Sequence, residues 1–193
     1  MSTPFFSLLT ICGLDELAGH GSAKVTHVLS ILDPDTPEPD FAGYPALQRT
    51  TLRFDDIVED APGKVSPAAD HVAAVLAFGR ALEDGTAADG HLLVHCHAGI
   101  SRSTAAMAML LAQSHPALAE DAVMDRLSAI RPQAWPNLRM IRFADEQLGR
   151  EGRLVAAAGR LYSRRLAERP EFAEGLKRLG RGAELELAAQ TPA

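Results

Sequence analysis

The run His91-Leu92-Leu93-Val94-His95-Cys96-His97-Ala98-Gly99-Ile100-Ser101-Arg102-Ser103 decides how the rest of the chain is read. Its first part is short and apolar, the pattern of a strand buried on both faces. After Ser103, the alanine- and methionine-rich run from Thr104 to Gln113 reads as a helix. Between strand and helix lies a tight loop. In it a cysteine and an arginine are separated by five residues, with a glycine between them and a hydroxyl after the arginine. A helix N-terminus offers unpaired N–H groups and the positive end of a dipole, which favours a bound anion. A cysteine placed there has its thiolate stabilised and becomes a nucleophile near neutral pH.

Each residue type in the loop then has a chemical use. The amides of His97, Ala98, Gly99, Ile100, Ser101 and Arg102 can point inward and hold phosphate oxygens. Gly99 permits the backbone angles of a curled loop. Arg102 grips two oxygens through its planar fork, which a lysine does not. Cys96 is placed to attack phosphorus in line, and the Ser103 hydroxyl can steady the thiolate as a leaving group. An inert cysteine before a helix is the usual role of a free cysteine, but it requires none of these companions. His91, His95, Cys96 and His97 do not read as metal ligands, because neighbours on a strand point to opposite faces. No second Cys/His pair has zinc spacing, so no metal or other cofactor is expected.

The stretch His95 to Ser103 resembles the signature loop of the cysteine-dependent protein tyrosine phosphatases, His-Cys-x-x-Gly-x-x-Arg-Ser/Thr. Ala98-Gly99-Ile100-Ser101-Arg102-Ser103 is similar to the dual-specificity branch, which includes many small bacterial members. Arg131-Pro132 followed by Trp135-Pro136-Asn137 looks like the segment downstream of the loop in that branch. The resemblance implies the compact protein tyrosine phosphatase fold, with Cys96 as nucleophile and Arg102 with the loop amides as phosphate site. It gives His95 a supporting role, orienting the loop by hydrogen bonding. It also implies a carboxylic acid before the loop, which protonates the leaving group and later activates water. Leu52-Arg53-Phe54-Asp55-Asp56-Ile57 is the candidate segment. In related phosphatases an aromatic residue stands two positions before the acid, which favours Asp56 over Asp55. The loop carries no lysine, unlike the phosphoinositide phosphatases of the superfamily. The implied substrate is a phosphorylated protein or peptide, with phosphotyrosine foremost and phosphoserine or phosphothreonine as further substrates. The alternatives are a phosphatase for a small molecule or lipid, a non-catalytic phosphate-binding module, and a rhodanese-like sulfur transferase, whose loop lacks this pattern.

Composition agrees with one sizeable core: 193 residues, 47% of them hydrophobic. A net charge of −6 argues against a nucleic-acid partner. Two cysteines, Cys12 and Cys96, form no disulfide framework, and a reactive thiol suits a reducing cytoplasm. No stretch reads as a signal or a membrane span. The sequence leaves the oligomeric state open.

The rest of the chain alternates strand and helix. Phe5 to Cys12, Val25 to Leu32 and Gln48 to Phe54 read as strands. Asp33 to Asp40 holds three prolines and reads as an acidic surface loop, either a plain connection or a rim beside the site. Ser66-Pro67 reads as the cap and first turn of a helix running to about Glu83. Glu120 to Ile130 and Asn137 to Leu148 carry helical stripes, the second capped by Asn137. Strands alternating with helices predict an α/β fold with a largely parallel sheet flanked by helices. Residues 1–150 are expected to form the phosphatase domain, and 151–193 a C-terminal helical extension packed on it. That extension contains Arg160, Arg164, Arg165, Arg169, Lys177, Arg178 and Arg181. It reads as helices with solvated arginines or, alternatively, as a docking surface.

Overall fold

A computed structural model describes residues 8–44, 47–83 and 90–192. Four strands form one sheet, β1 (Leu8–Cys12), β2 (His27–Leu32), β3 (Gln48–Arg53) and β4 (His91–His95). All pairings are parallel and the spatial order is β1-β4-β2-β3. The first strand begins at Leu8; positions 5–7 of the expected strand lie outside the described residues. The inner strands are the ones with continuous apolar runs. Every residue of β4 is buried, whereas β3 pairs only with β2 and is half-exposed, as an edge position allows.

Seven α-helices follow in the described residues: α1 (Ala69–Glu83), α2 (Arg102–Ser114), α3 (Glu120–Ile130), α4 (Leu138–Gln147), α5 (Arg153–Glu168), α6 (Phe172–Arg178) and α7 (Gly182–Gln190). A 3-10 helix spans Leu14–His20. The two faces of the sheet are covered differently, following the period-2 alternation of side chains. Leu29, Ile31, Leu92 and Val94 point into the large core shared with the helices. Val28 and Leu93 point the other way, onto Leu17 of the 3-10 helix and Phe41 of the acidic loop. The helix α2 lies against the sheet because Ala105, Ala106, Ala108 and Ala112, all fully buried, let its backbone approach closely.

Local boundaries differ from expectation where side chains found other partners. The helix α1 starts at Ala69, since the Ser66 hydroxyl donates to Asp60 Oδ1 instead of capping. Asn137 does cap α4, accepting from Met140 N. Leu154, Ala157, Ala158, Leu161 and Tyr162 of α5 belong to the same core as the sheet. Asp145 of α4 caps α5 by accepting from Gly152 N, Leu154 N and Val155 N. The last helix, α7, has no counterpart in the sequence reading, which closed the amphipathic pattern at Leu179. The expectation of solvated arginines holds for Arg160 and Arg164, paired with Asp121 and Asp125 at the surface. It fails for Arg181, which is 6% exposed.

Candidate active site

The central strand β4 delivers Cys96 to the end of the sheet, and α2 begins at Arg102. Every carbonyl between them is held from outside. His97 O accepts from Leu14 N at 2.9 Å. Ala98 O and Gly99 O accept from the Arg131 guanidinium, itself paired with Glu16. Ile100 O accepts from Trp135 N, and Ser101 O from Asn137 N. A trans peptide sets each carbonyl antiparallel to the next N–H. The N–H groups of Ala98, Gly99, Ile100, Ser101 and Arg102 therefore face the inside of the curl. Gly99 has φ +68°, and a β-carbon there would lie 2.5 Å from the Cys12 carbonyl carbon. Both the backbone angle and the close approach require glycine.

Cys96 is 1% exposed, and its Sγ lies 3.2 Å from the Ser103 hydroxyl. Arg102 is 2% exposed. Its Nη1 donates to Asp33 Oδ1 at 2.6 Å and to Phe54 O, while its buried Nε–H has no acceptor. His97 is turned toward the acidic loop, within 3.1 Å of Thr36 Oγ1 and 3.8 Å of Asp33 Oδ1. His95 contacts the Ser30 hydroxyl at 2.6 Å, and burial drives its pKa down to about 4, so the ring is neutral at physiological pH. Cys12 lies beside His95 across β1 and β4, and burial pushes its thiol up to about 12.

The two adjacent aspartates have different surroundings. Asp55 is 5% exposed and turned away, accepting from Lys64 Nζ and Val65 N at 2.8 Å each. Asp56 faces the signature loop. Its Oδ1 accepts from Ser101 Oγ at 2.6 Å, Asn137 Nδ2 at 3.0 Å and Arg181 Nη1 at 3.2 Å. Burial pushes the Asp56 carboxyl up. Arg181, Arg102 and the Ser101 and Asn137 hydrogen bonds outweigh it, so the group stays below the usual carboxylate range. Asp56 also lines a cavity of about 430 Å³ walled mainly by Ile100, Trp135, Phe172, Leu176 and Leu179.

Sequence reasoning missed Asp33, Arg181 and Glu184. Asp33 had a signal, its place in a loop directly after a strand of a parallel sheet. Arg181 and Glu184 had none, since an Arg–Glu pair three residues apart is common on any solvated helix.

No family model matches the chain, and no curated protein matches its sequence. Solved structures do. Human DUSP28 superimposes with a TM-score of 0.56 at 18% identity, over 74% of this chain and 92% of that one. Human tyrosine phosphatase-like serine/threonine/tyrosine-interacting protein gives 0.56 at 18% identity, over 76% and 95%. DUSP15 gives 0.54 at 24% identity, over 86% and 95%. The chain thus has the compact fold of the dual-specificity phosphatases.

Proposed function

We propose that this chain is a cysteine-dependent phosphatase that hydrolyses phosphotyrosine, with other protein phosphoesters as further substrates. The reading is carried by one observation. In the loop that carries Cys96, five N–H groups lie opposite externally held carbonyls and the buried Arg102 Nε–H has no acceptor, a set of donors suited to a phosphate.

In the first step Cys96 Sγ attacks phosphorus in line, an S–P bond forms, and the ester P–O bond breaks with its electron pair leaving on oxygen. Asp56 supplies the proton that turns the leaving oxygen into a hydroxyl, and its depressed carboxyl puts the optimum of this step on the acid side. In the second step water loses a proton to Asp56 and attacks phosphorus. The S–P bond then breaks, and the sulfur leaves as a thiolate hydrogen-bonded by Ser103. The loop amides and Arg102 stabilise the charge on the phosphoryl oxygens in both steps. The contact of Asp56 with Ser101 of the signature loop, against the enclosure of Asp55 by Lys64 and Val65, supports Asp56 as the acid. In this reading residues 1–150 carry the chemistry, residues 151–193 support it, and the protein works in the cytoplasm.

The test is hydrolysis of para-nitrophenyl phosphate in chelator, by wild type and Cys96→Ser. Turnover that disappears in the variant is expected. Freshly reduced wild type that binds vanadate without turnover would overturn the enzyme reading in favour of phosphate recognition alone.

A further inference from the structure

Beyond α5, the residue that hydrogen-bonds to both the signature loop and Asp56 is Arg181. Arg181 sits in the turn between α6 and α7, 6% exposed, with each guanidinium nitrogen engaged. Its Nη2 donates to Ser101 Oγ at 2.9 Å and to Glu184 Oε1 at 2.7 Å. Its Nη1 donates to Asp56 Oδ1 at 3.2 Å, and its Nε to Glu184 Oε2 at 2.7 Å. Glu184 is itself fixed, accepting also from Trp135 Nε1 and Leu138 N. The guanidinium therefore spans three parts of the protein: the signature loop, the segment after β3 that carries Asp56, and the first turn of α7.

We propose that Arg181 is a positioning residue of the active site, locking Ser101 of the signature loop to Asp56 and so making the C-terminal helices part of the catalytic apparatus. The inference rests on the phosphatase reading above for its kinetic consequences, but not for its structural ones. A long, buried arginine held by a fixed carboxylate is a rigid strut. Neither Ser101 nor Asp56 can shift without breaking a charge-assisted bond. Lysine, with a point charge in place of the fork, can serve one of these partners but not all three.

The charged and titratable groups facing Asp56 are Arg102 from α2, Arg181 with Glu184 behind it, Tyr162 from α5 and the adjoining Asp55. Arg181 and Arg102 are the two cations among them. Removing Arg181 leaves the burial of Asp56 opposed by one cation fewer, so its carboxyl titrates at higher pH. The basic limb of kcat/KM, where Asp56 loses the proton it must give to the leaving group, then moves to higher pH as well.

The experiment compares wild type, Arg181→Gln, Arg181→Lys and the surface control Arg178→Gln. Two readouts are used: the pH profile on para-nitrophenyl phosphate, and the carboxyl-carbon NMR titration of Asp56 assigned with Asp56→Asn. Arg181→Gln should lower kcat on the order of 100-fold, the scale of a misplacement near 1 Å. It should also raise the Asp56 midpoint. Arg181→Lys should fall between, and Arg178→Gln should match wild type. An Asp56 midpoint unmoved in folded Arg181→Gln, or a wild-type kcat in folded Arg181→Lys, overturns the proposal. If wild type has no turnover but the midpoint still moves, the positioning stands and the phosphatase reading fails. If Arg181→Gln does not fold, Arg181→Lys decides by its kcat.

Discussion

Glu184→Gln tests the buried cluster most directly. Glu184 is 0% exposed, and its two oxygens accept from four donors: Trp135 Nε1, Leu138 N, and Nε and Nη2 of Arg181. Glutamine keeps the shape, yet its one oxygen serves two donors while its NH2 group confronts the other two. The Arg181 charge also loses its closest counter-ion, leaving Asp56 at 3.2 Å. Breaking a buried pair in this way costs roughly 3–5 kcal/mol, and the remaining Asp56 contact argues for the lower end, about 3 kcal/mol. In a protein of this size that corresponds to a Tm lower by roughly 6–12 °C. Thermal and urea unfolding at pH 7 would measure it, with Glu174→Gln as the exposed comparison, where a change within about 0.5 kcal/mol is expected. Arg181→Met should cost less in the Glu184→Gln background than in wild type, because the charge it removes has already lost its partner. A loss below about 1 kcal/mol for Glu184→Gln would refute the reasoning.

Gly99→Ala should lose activity by on the order of 100-fold, since its β-carbon collides with the Cys12 backbone and displaces the loop; activity near wild type would mean the loop tolerates the shift. Asp56→Asn should slow poor leaving groups more than good ones, and more than Asp55→Asn does; the reverse order in a series of aryl phosphates would assign the acid to Asp55. Burial raises the Asp55 carboxyl, but Lys64, the Val65 N–H and Arg102 bring it below its ordinary value. Its folded pKa is thus depressed, and its contribution is present above the unfolded pKa near 4 and lost as pH falls through the folded one. Asp55→Asn should therefore flatten the decline of Tm between about pH 5 and 3; an unchanged slope would show that other carboxylates set it.

The fold was legible wherever burial speaks through local pattern. The apolar runs of β2 and β4 announced inner strands, and the alanine-rich run after Ser103 announced a helix able to approach the sheet closely. Asn137 announced its own cap. The residues of the signature loop were legible because each chemical need there selects a residue type at a fixed offset. The partners of that loop were not. Arg131 stood out only as part of a segment resembling one downstream of the loop, and its task is plain only once its guanidinium is seen on the Ala98 and Gly99 carbonyls. Arg181 and Glu184 sit in a tail with seven other basic residues, of which Arg153, Arg160, Arg164 and Arg165 pair with carboxylates at the surface, and nothing local separates a buried pair from an exposed one. Helix α7 was missed because Gly180 and Gly182 read as an ending, although only Gly180 takes a positive φ.

The contact between Asp33 and Arg102 bears on how an anion enters the loop. Asp33 already places a negative group on the arginine, 2.6 Å away and 37% exposed to solvent. An anion in the loop therefore does not meet a bare cation; it takes the Nε–H that Asp33 leaves free, beside a guanidinium whose charge is partly balanced. A dianion gains more from such a guanidinium and the loop amides than a singly charged ion does.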